Sequence, residues 1–310
     1  MYLVWKRISR FLILAATAPI LSKPRQIVLE RYLRGKEEAR KLALCDAVIV
    51  SYGKSGRTWL RLMLSRFYQV KHRLRTRQLL GFDNYHRANP AIPKLFFTHD
   101  NYLKDYTGHK DSKVDYYGHK VVLLVRDPRD VAVSQFFQWK FRMRPGKKDL
   151  NQYPPHGADI SLFDFVMHET CGLPKIIEFL NQWAQELPKL DRLLLVRYED
   201  LRADTAQELK RILDFLETPG TQEEIQEAIA YASVENMRKL EQEKKLWLSG
   251  SRLIPKDASN PDSYKVRRAK VGGWRDYFDE TQTAIIDALV SERLSPVFGY
   301  TATTPKVANL

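Results

Sequence analysis

Between Asp46 and Arg197 the chain alternates short, uninterrupted apolar runs with stretches of helical period. AVIVS (47–51) passes through a glycine-containing turn into TWLRLMLSRFYQ, and LFFT (95–98) follows; VVLLV (121–125) leads into DVAVSQFFQWKF, and LLLVR (193–197) precedes DTAQELKRILDFLE. Strands that are apolar throughout, interleaved with amphipathic helices, predict a parallel sheet covered on both faces. We therefore expect an α/β fold, a single three-layer domain with a central parallel sheet over residues 45–310. In such sheets ligands bind at the carboxyl ends of the strands.

Residues 1–44 follow a different pattern. MYLVW is followed by KRISR and then by the apolar run FLILAATAPIL (Phe11 to Leu21), after which 22–44 reads as a polar connecting helix. A basic cluster before 11 apolar residues resembles a signal peptide, but Pro19 follows the Ala16-Thr17-Ala18 site and apolar residues precede the cluster. Two readings stay open. A helix of this kind docks on the protein's own core, or it lies in a membrane interface with Lys6, Arg7 and Arg10 on anionic lipid, which is the reading we prefer.

Charge sharpens this picture. The net charge is +14, and residues 1–77 hold 18 Lys/Arg against 4 Asp/Glu while residues 78–310 balance. That asymmetry points to an anionic partner near the N-terminus, an anionic membrane surface through residues 1–41 rather than nucleic acid. With 44% apolar residues, 14 Phe and 15 Tyr, the chain buries a sizeable core and is not disordered. Cys45 and Cys171 stand alone, and no Cys/His spacing suits a metal, so no metal is expected.

The first strand-turn-helix, IVSYGKSGRTWLRLML, has the make-up of a P-loop-like phosphate-binding turn. Gly53 and Gly56 let the backbone bend around an anion, Lys54 adds a point charge, and the helix that follows offers its N-terminal N–H groups. Val48 stands where a Walker A motif ending at Gly53-Lys54-Ser55 needs glycine, which speaks against an ordinary nucleoside triphosphatase.

SYGKSGRTWL resembles the first signature, YPKSGTTWL, of the sulfotransferases that use 3′-phosphoadenosine 5′-phosphosulfate (PAPS). The resemblance implies that Lys54, Ser55, Gly56, Arg57 and Thr58 wrap the 5′-phosphosulfate and that Trp59 lies against adenine; Arg57 replaces the usual Thr and Gly53 the usual Pro. KVVLLVRDPRDVAVSQFFQW (120–139) resembles the family's second signature, implying that Arg126 and Ser134 bind the 3′-phosphate, as a forked guanidinium and a hydroxyl would. LLLVRYEDL (193–201) resembles a third segment and gives Tyr198 a nucleotide contact, with Glu199 and Asp200 holding the core and Asp204 capping the next helix. YKVRRAKVGGWRDYF (264–278) resembles the nucleotide-closing segment, implying roles for Arg267, Arg268 and Ala269, the last standing where glycine is usual. Ser233 falls where relatives often carry a nucleotide-contacting Thr or Ser.

Sequence alone does not choose a base among His72, His86, His99, His109, His119, His156 and His168. The resemblance does, since LFFTHDNYL (95–103) lies where relatives have K-T-H. It implies His99 as general base, Lys54 as the cation on the departing phosphate oxygen, and in-line transfer of a sulfuryl group to a hydroxyl acceptor. Phe97 replaces the usual Lys, and Lys104 or Arg57 could supply the missing charge; Asp100 could orient the imidazole or be a second base. Residues 78–94 and 141–160 are expected to build the acceptor pocket, with a glycolipid or lipid-linked saccharide favoured and a cytoplasmic location, peripheral on the membrane face. The alternatives are a nucleotide kinase or NTPase-like enzyme on a related fold, and a non-enzymatic membrane- or polyanion-binding protein.

Overall fold

The computed structural model describes residues 2–243, 254 and 257–301, with side chains from Ser9 onward. The four apolar runs are its strands: β1 (Ala47–Val50), β2 (Leu95–Thr98), β3 (Val121–Val125) and β4 (Leu193–Arg197). They pair in parallel in the order β2-β1-β3-β4, with Val48 opposite Phe96 on one side and Val121 on the other. The longer helices are α1 (Tyr2–Thr17), α2 (Lys23–Leu44), α3 (Arg57–Lys71), α4 (Pro128–Phe137), α5 (Leu173–Glu186), α6 (Thr205–Phe215), α7 (Gln222–Tyr231), α8 (Val234–Gln242) and α9 (Glu280–Arg293).

Side chains alternate across a strand, and here both faces find apolar partners. Ile49, Val122, Leu124 and Val196 pack with Leu60, Met63 and Phe67 of α3 and with Leu209 and Ile212 of α6. Val48, Val50, Leu123 and Val125 pack with Val131 of α4, Ile176 and Leu180 of α5 and Ile286 of α9. The expected three layers are present. From β1 the chain moves to one edge for β2 and then crosses to the other side of β1 for β3. That reversal opens a crevice at the carboxyl ends of the central strands.

The first two helices join this body. α2 runs along the short helix Leu103–Thr107, and Gly35 permits the approach: a Cβ there would stand 2.2 Å from the Tyr102 carbonyl oxygen. Arg31 donates to the carbonyls of Leu150 (2.9 Å) and Asn101 (3.1 Å) and pairs with Asp105. α1 is tied to α2 by Arg10 on Glu37 at 2.7 Å, so Arg10 is committed within the protein rather than free for lipid. The side chains of Lys6 and Arg7 lie outside the described residues. Phe11, Leu12, Ile13 and Ile20 are exposed, so this apolar run is not buried in the core.

Behind β2, the buried Glu38 of α2 accepts from Thr98 Oγ1 and the Tyr102 N–H. Burial, then the charge of Asp100, pushes its carboxyl up to about 7. A carboxyl protonated more readily folded than unfolded gives stability that is present below the unfolded value and lost as pH rises toward 7. Glu38→Gln is therefore expected to stabilise the fold at pH 8, by on the order of 3 kcal/mol. The gain should vanish near pH 4 in paired thermal melts; an equal gain at both pH values would refute the account.

Candidate active site

All four strands release their chains at one edge, and each delivers a candidate residue there. After β1, Lys54 adopts a left-handed conformation (φ 77°) and Gly56 follows at φ 92° as the N-cap of α3. Gly56 is required twice over, because a Cβ would meet the Tyr198 ring at 2.6 Å as well as strain the backbone. After β2 comes His99, after β3 Arg126 and after β4 Tyr198. They open on one cleft of ≈ 1250 Å³, which Gly56, Arg57, Thr58, Trp59, Ser134, Arg267, Arg268 and Ala269 also line.

One end of the cleft is walled by rings and cations. Arg126 lies over the Tyr198 ring at 4.4 Å, and Tyr198 meets Trp59 edge-on at 5.8 Å. Arg126 donates to Asp130 Oδ2 (3.0 Å) and to the Lys54 and Lys270 carbonyls, yet its buried Nε has no partner among the described residues. Arg267 stacks on Phe137 at 3.7 Å and donates to the Tyr277 hydroxyl. Burial, then Lys265, Arg142, Arg126 and Arg267, holds Lys54 well below the ordinary lysine value. No carboxylate among the described residues pairs with Lys54. Like charges crowded at a cleft with an orphaned guanidinium N–H fit a ligand with several anionic groups.

The segment carrying Arg267 to Tyr277 is fastened by Asp130, which accepts from the Gly272 and Trp274 N–H groups, each at 3.0 Å. Asp130 received no role from the sequence although it lies within RDPRD, where its spacing from Arg126 was visible. Ala269 has φ 54°, so it takes the backbone shape that favours glycine despite its side chain.

At His99 the proton positions follow from the partners. Nδ1 is 2.7 Å from the Ser51 carbonyl, which can only accept, so Nδ1 carries the hydrogen. Nε2 then offers a lone pair, and Arg57 donates to it at 2.5 Å. Burial, then the Arg57 charge, holds the imidazole well below its ordinary value, keeping it neutral at neutral pH. Asp100 does not orient the ring. Its carboxylate accepts from the Tyr116 hydroxyl (2.8 Å) and pairs with Lys113 at 2.7 Å, both buried. At Phe97, where the lysine is missing, the ring packs against the Arg61 guanidinium, 3.8 Å from its centroid.

Two expected ligand residues lie apart from the cleft wall. Ser55 is buried beneath the loop. Ser233 caps α8, its hydroxyl accepting from the Asn236 N–H; the neighbours Val234 and Met237 reach the cleft instead. The cap competes for the same hydroxyl, and sequence carries no sign of which use prevails. Of the two segments expected to build the acceptor pocket, 141–160 lines the cleft with residues between Arg142 and Tyr153, whereas 78–94 contributes nothing to it. α2, read as a connecting helix, supplies Glu30, Arg31 and Arg34. Among the described residues no group of three or more His, Cys, Asp or Glu could hold a metal.

Comparison with known proteins agrees with this geometry. The model of the sulfotransferase domain matches residues 44–298. Cytosolic sulfotransferase 15 of Arabidopsis thaliana is 27% identical over 278 residues, covering 80% of this chain and 72% of the relative. Cytosolic sulfotransferase 14 of the same plant is 29% identical over 284 residues, 81% and 75% of the two chains. Among solved structures, mouse sulfotransferase SULT7A1 complexed with PAP superposes with a TM-score of 0.54 at 20% identity, covering 83% of this chain and 89% of that one. Retinol dehydratase in complex with retinol and PAP gives 0.54 at 19% identity, with 84% and 85% covered. With four signature segments converging on one cleft and the domain model spanning most of its length, the chain belongs to the sulfotransferase domain family.

Proposed function

We propose that the protein transfers a sulfuryl group from PAPS to a hydroxyl acceptor, with His99 as general base. The observation that carries this is the arrangement at the strand ends: a neutral, tautomer-fixed imidazole beside a crowd of cations, among them a buried Lys54 with no carboxylate partner among the described residues. The related structures that hold PAP are consistent with PAPS as the donor. When bound, PAPS supplies the sulfuryl group, for in-line transfer to the acceptor oxygen. Lys54, Arg57 and Thr58, with the first N–H groups of α3, would hold its 5′ end, and Arg126 and Ser134 its 3′-phosphate. Trp59 and Tyr198 would flank the base, with Arg267, Arg268 and the Ala269 backbone closing over it.

His99 Nε2 takes the acceptor's proton as the new S–O bond forms, and the Nδ1–H bond to Ser51 steadies the imidazolium. Nε2 is engaged by Arg57, so the guanidinium must leave it before the proton can arrive. Arg57 thereby stands in for the lysine absent at Phe97, next to both the base and the phosphate loop. Lys54 neutralises charge on the departing phosphate oxygen.

We favour a membrane-associated acceptor, a glycolipid or saccharide hydroxyl. The cleft beyond His99 is lined by Arg31, Arg34, Asn101, Lys104 and Gln182, groups suited to a polyhydroxylated molecule rather than a bare phenol. Exposed Phe11, Leu12 and Ile13 on α1 suit a peripheral contact with the lipid surface. No helix among the described residues is long and apolar enough to cross a membrane. We place the enzyme in the cytoplasm, where the donor is made.

Four measurements test this reading. In calorimetry 3′,5′-ADP should bind about 10- to 100-fold tighter than 5′-ADP, and Arg126→Ala should abolish the difference; equal binding would remove the 3′-phosphate site. His99→Ala should abolish turnover while 3′,5′-ADP still binds. Arg57→Thr, followed by NMR of the His99 ring, should move its titration up toward about 6.5 as the adjacent charge is lost; an unchanged titration would refute the contact. Finally, the full-length Phe11→Glu/Leu12→Glu variant should bind anionic vesicles at least about tenfold more weakly than the parent, and equal sedimentation would exclude the lipid contact.

A further inference from the structure

The acceptor half of the cleft is ordered by pairs of opposite charge, and the pairs do not balance. Glu30 is held by Arg34 at 2.9 Å and Asp105 by Arg31 at 2.9 Å. Glu178 is paired with Lys175 at 2.7 Å, and Asp100 with Lys113 at 2.7 Å. Each carboxylate at this end thus has its own cation. Lys104, Arg144 and Lys147 remain, all lining the same cleft and none paired with a carboxylate among the described residues.

Their placement ties the surplus to the reacting centre. Lys104 follows His99 by five residues, on the short helix Leu103–Thr107. Lys147 donates to the Tyr102 hydroxyl at 2.9 Å and lies 5.2 Å from that ring's centroid, and its charge is felt at His99. Arg144 stands at the mouth, at the start of the helix Pro145–Leu150. Lys104 is half-buried, and burial, then the charges of Lys175 and Lys113, holds it below the ordinary lysine value. A neutral acceptor would leave these three cleft cations without a counter-charge.

We propose that the acceptor carries a second, anionic group beside its reacting hydroxyl, a carboxylate, phosphate or sulfate received by Lys104, Arg144 and Lys147. This rests on the sulfotransferase reading and narrows its substrate class to acidic sugars or acidic glycolipids. The three groups share one chemistry, oxygen anions that accept charge-assisted hydrogen bonds. An opposite charge placed here also steers the acceptor into the mouth.

The test uses the full chain loaded with PAP and three sugars that differ at one carbon: methyl β-glucuronide, methyl β-glucoside and methyl β-glucoside 6-phosphate. Binding of PAP itself is measured first, and its failure would sink the donor assignment rather than this proposal. With PAP bound, the two charged sugars should bind at least about tenfold tighter than the glucoside. In Lys104→Met/Lys147→Met, with PAP binding retained as the check on folding, they should fall to the level of the glucoside. A preference for the phosphate alone would assign the site to tetrahedral anions, and a preference for both to any oxygen anion. The proposal is overturned if the glucoside binds as tightly as the charged sugars, if none of the three binds, or if the preference survives the double substitution.

Discussion

Asp130 is nearly fully buried, and an unsatisfied carboxylate in such a place costs several kcal/mol. Burial pushes its carboxyl upward, while Arg126 and the N–H groups of Gly272 and Trp274 favour the charged form. These partners come from the end of β3 and from a segment about 140 residues later in the chain. Their meeting closes this end of the cleft over the strand edge. It also aims Arg126, whose one carboxylate partner among the described residues is this group, along the Tyr198 ring. Remove that carboxylate and both the segment from Arg267 to Tyr277 and the Arg126 guanidinium lose their common reference point.

The same logic of local compensation runs through the core. Glu199 accepts from the Asp127 N–H and from the Tyr300 hydroxyl, joining the starts of two helices to the turn at Tyr300. Asp127 in turn caps α4 by accepting from the Arg129 N–H. Arg129 bridges Asp127 and Asp287, which fastens α9 to α4. The expected structural roles of Glu199 and of Asp204, which caps α6, are both met. The frame is thus fixed by charged groups that satisfy one another.

Much of this was legible before the structure. Continuous apolar runs located all four strands, because a strand buried on both faces has no polar alternation to obscure it. The strand ends then placed Lys54, His99, Arg126 and Tyr198 at one edge. What sequence could not supply was the outcome of long-range packing. The Ser233 hydroxyl was spent on a local cap and Ser55 was covered by its own loop. α2 turned from connector to wall because Gly35 admits the backbone of Tyr102. Charge counting misled in the same way: residues 78–310 balance overall, yet folding pairs Glu30, Asp100 and Glu178 in the cleft and leaves Lys104, Arg144 and Lys147 with no carboxylate partner among the described residues.

Gly35 has one more consequence. The recognised domain begins at residue 44, and a protein cut there keeps every strand and every signature segment. It would still lose Glu30, Arg31 and Arg34, the wall that α2 builds where the glycine lets it settle. The unit that can be recognised by descent and the unit that encloses the cleft therefore have different edges. The strand ends sit inside the inherited boundary, while part of the wall facing them is written in the stretch that precedes it.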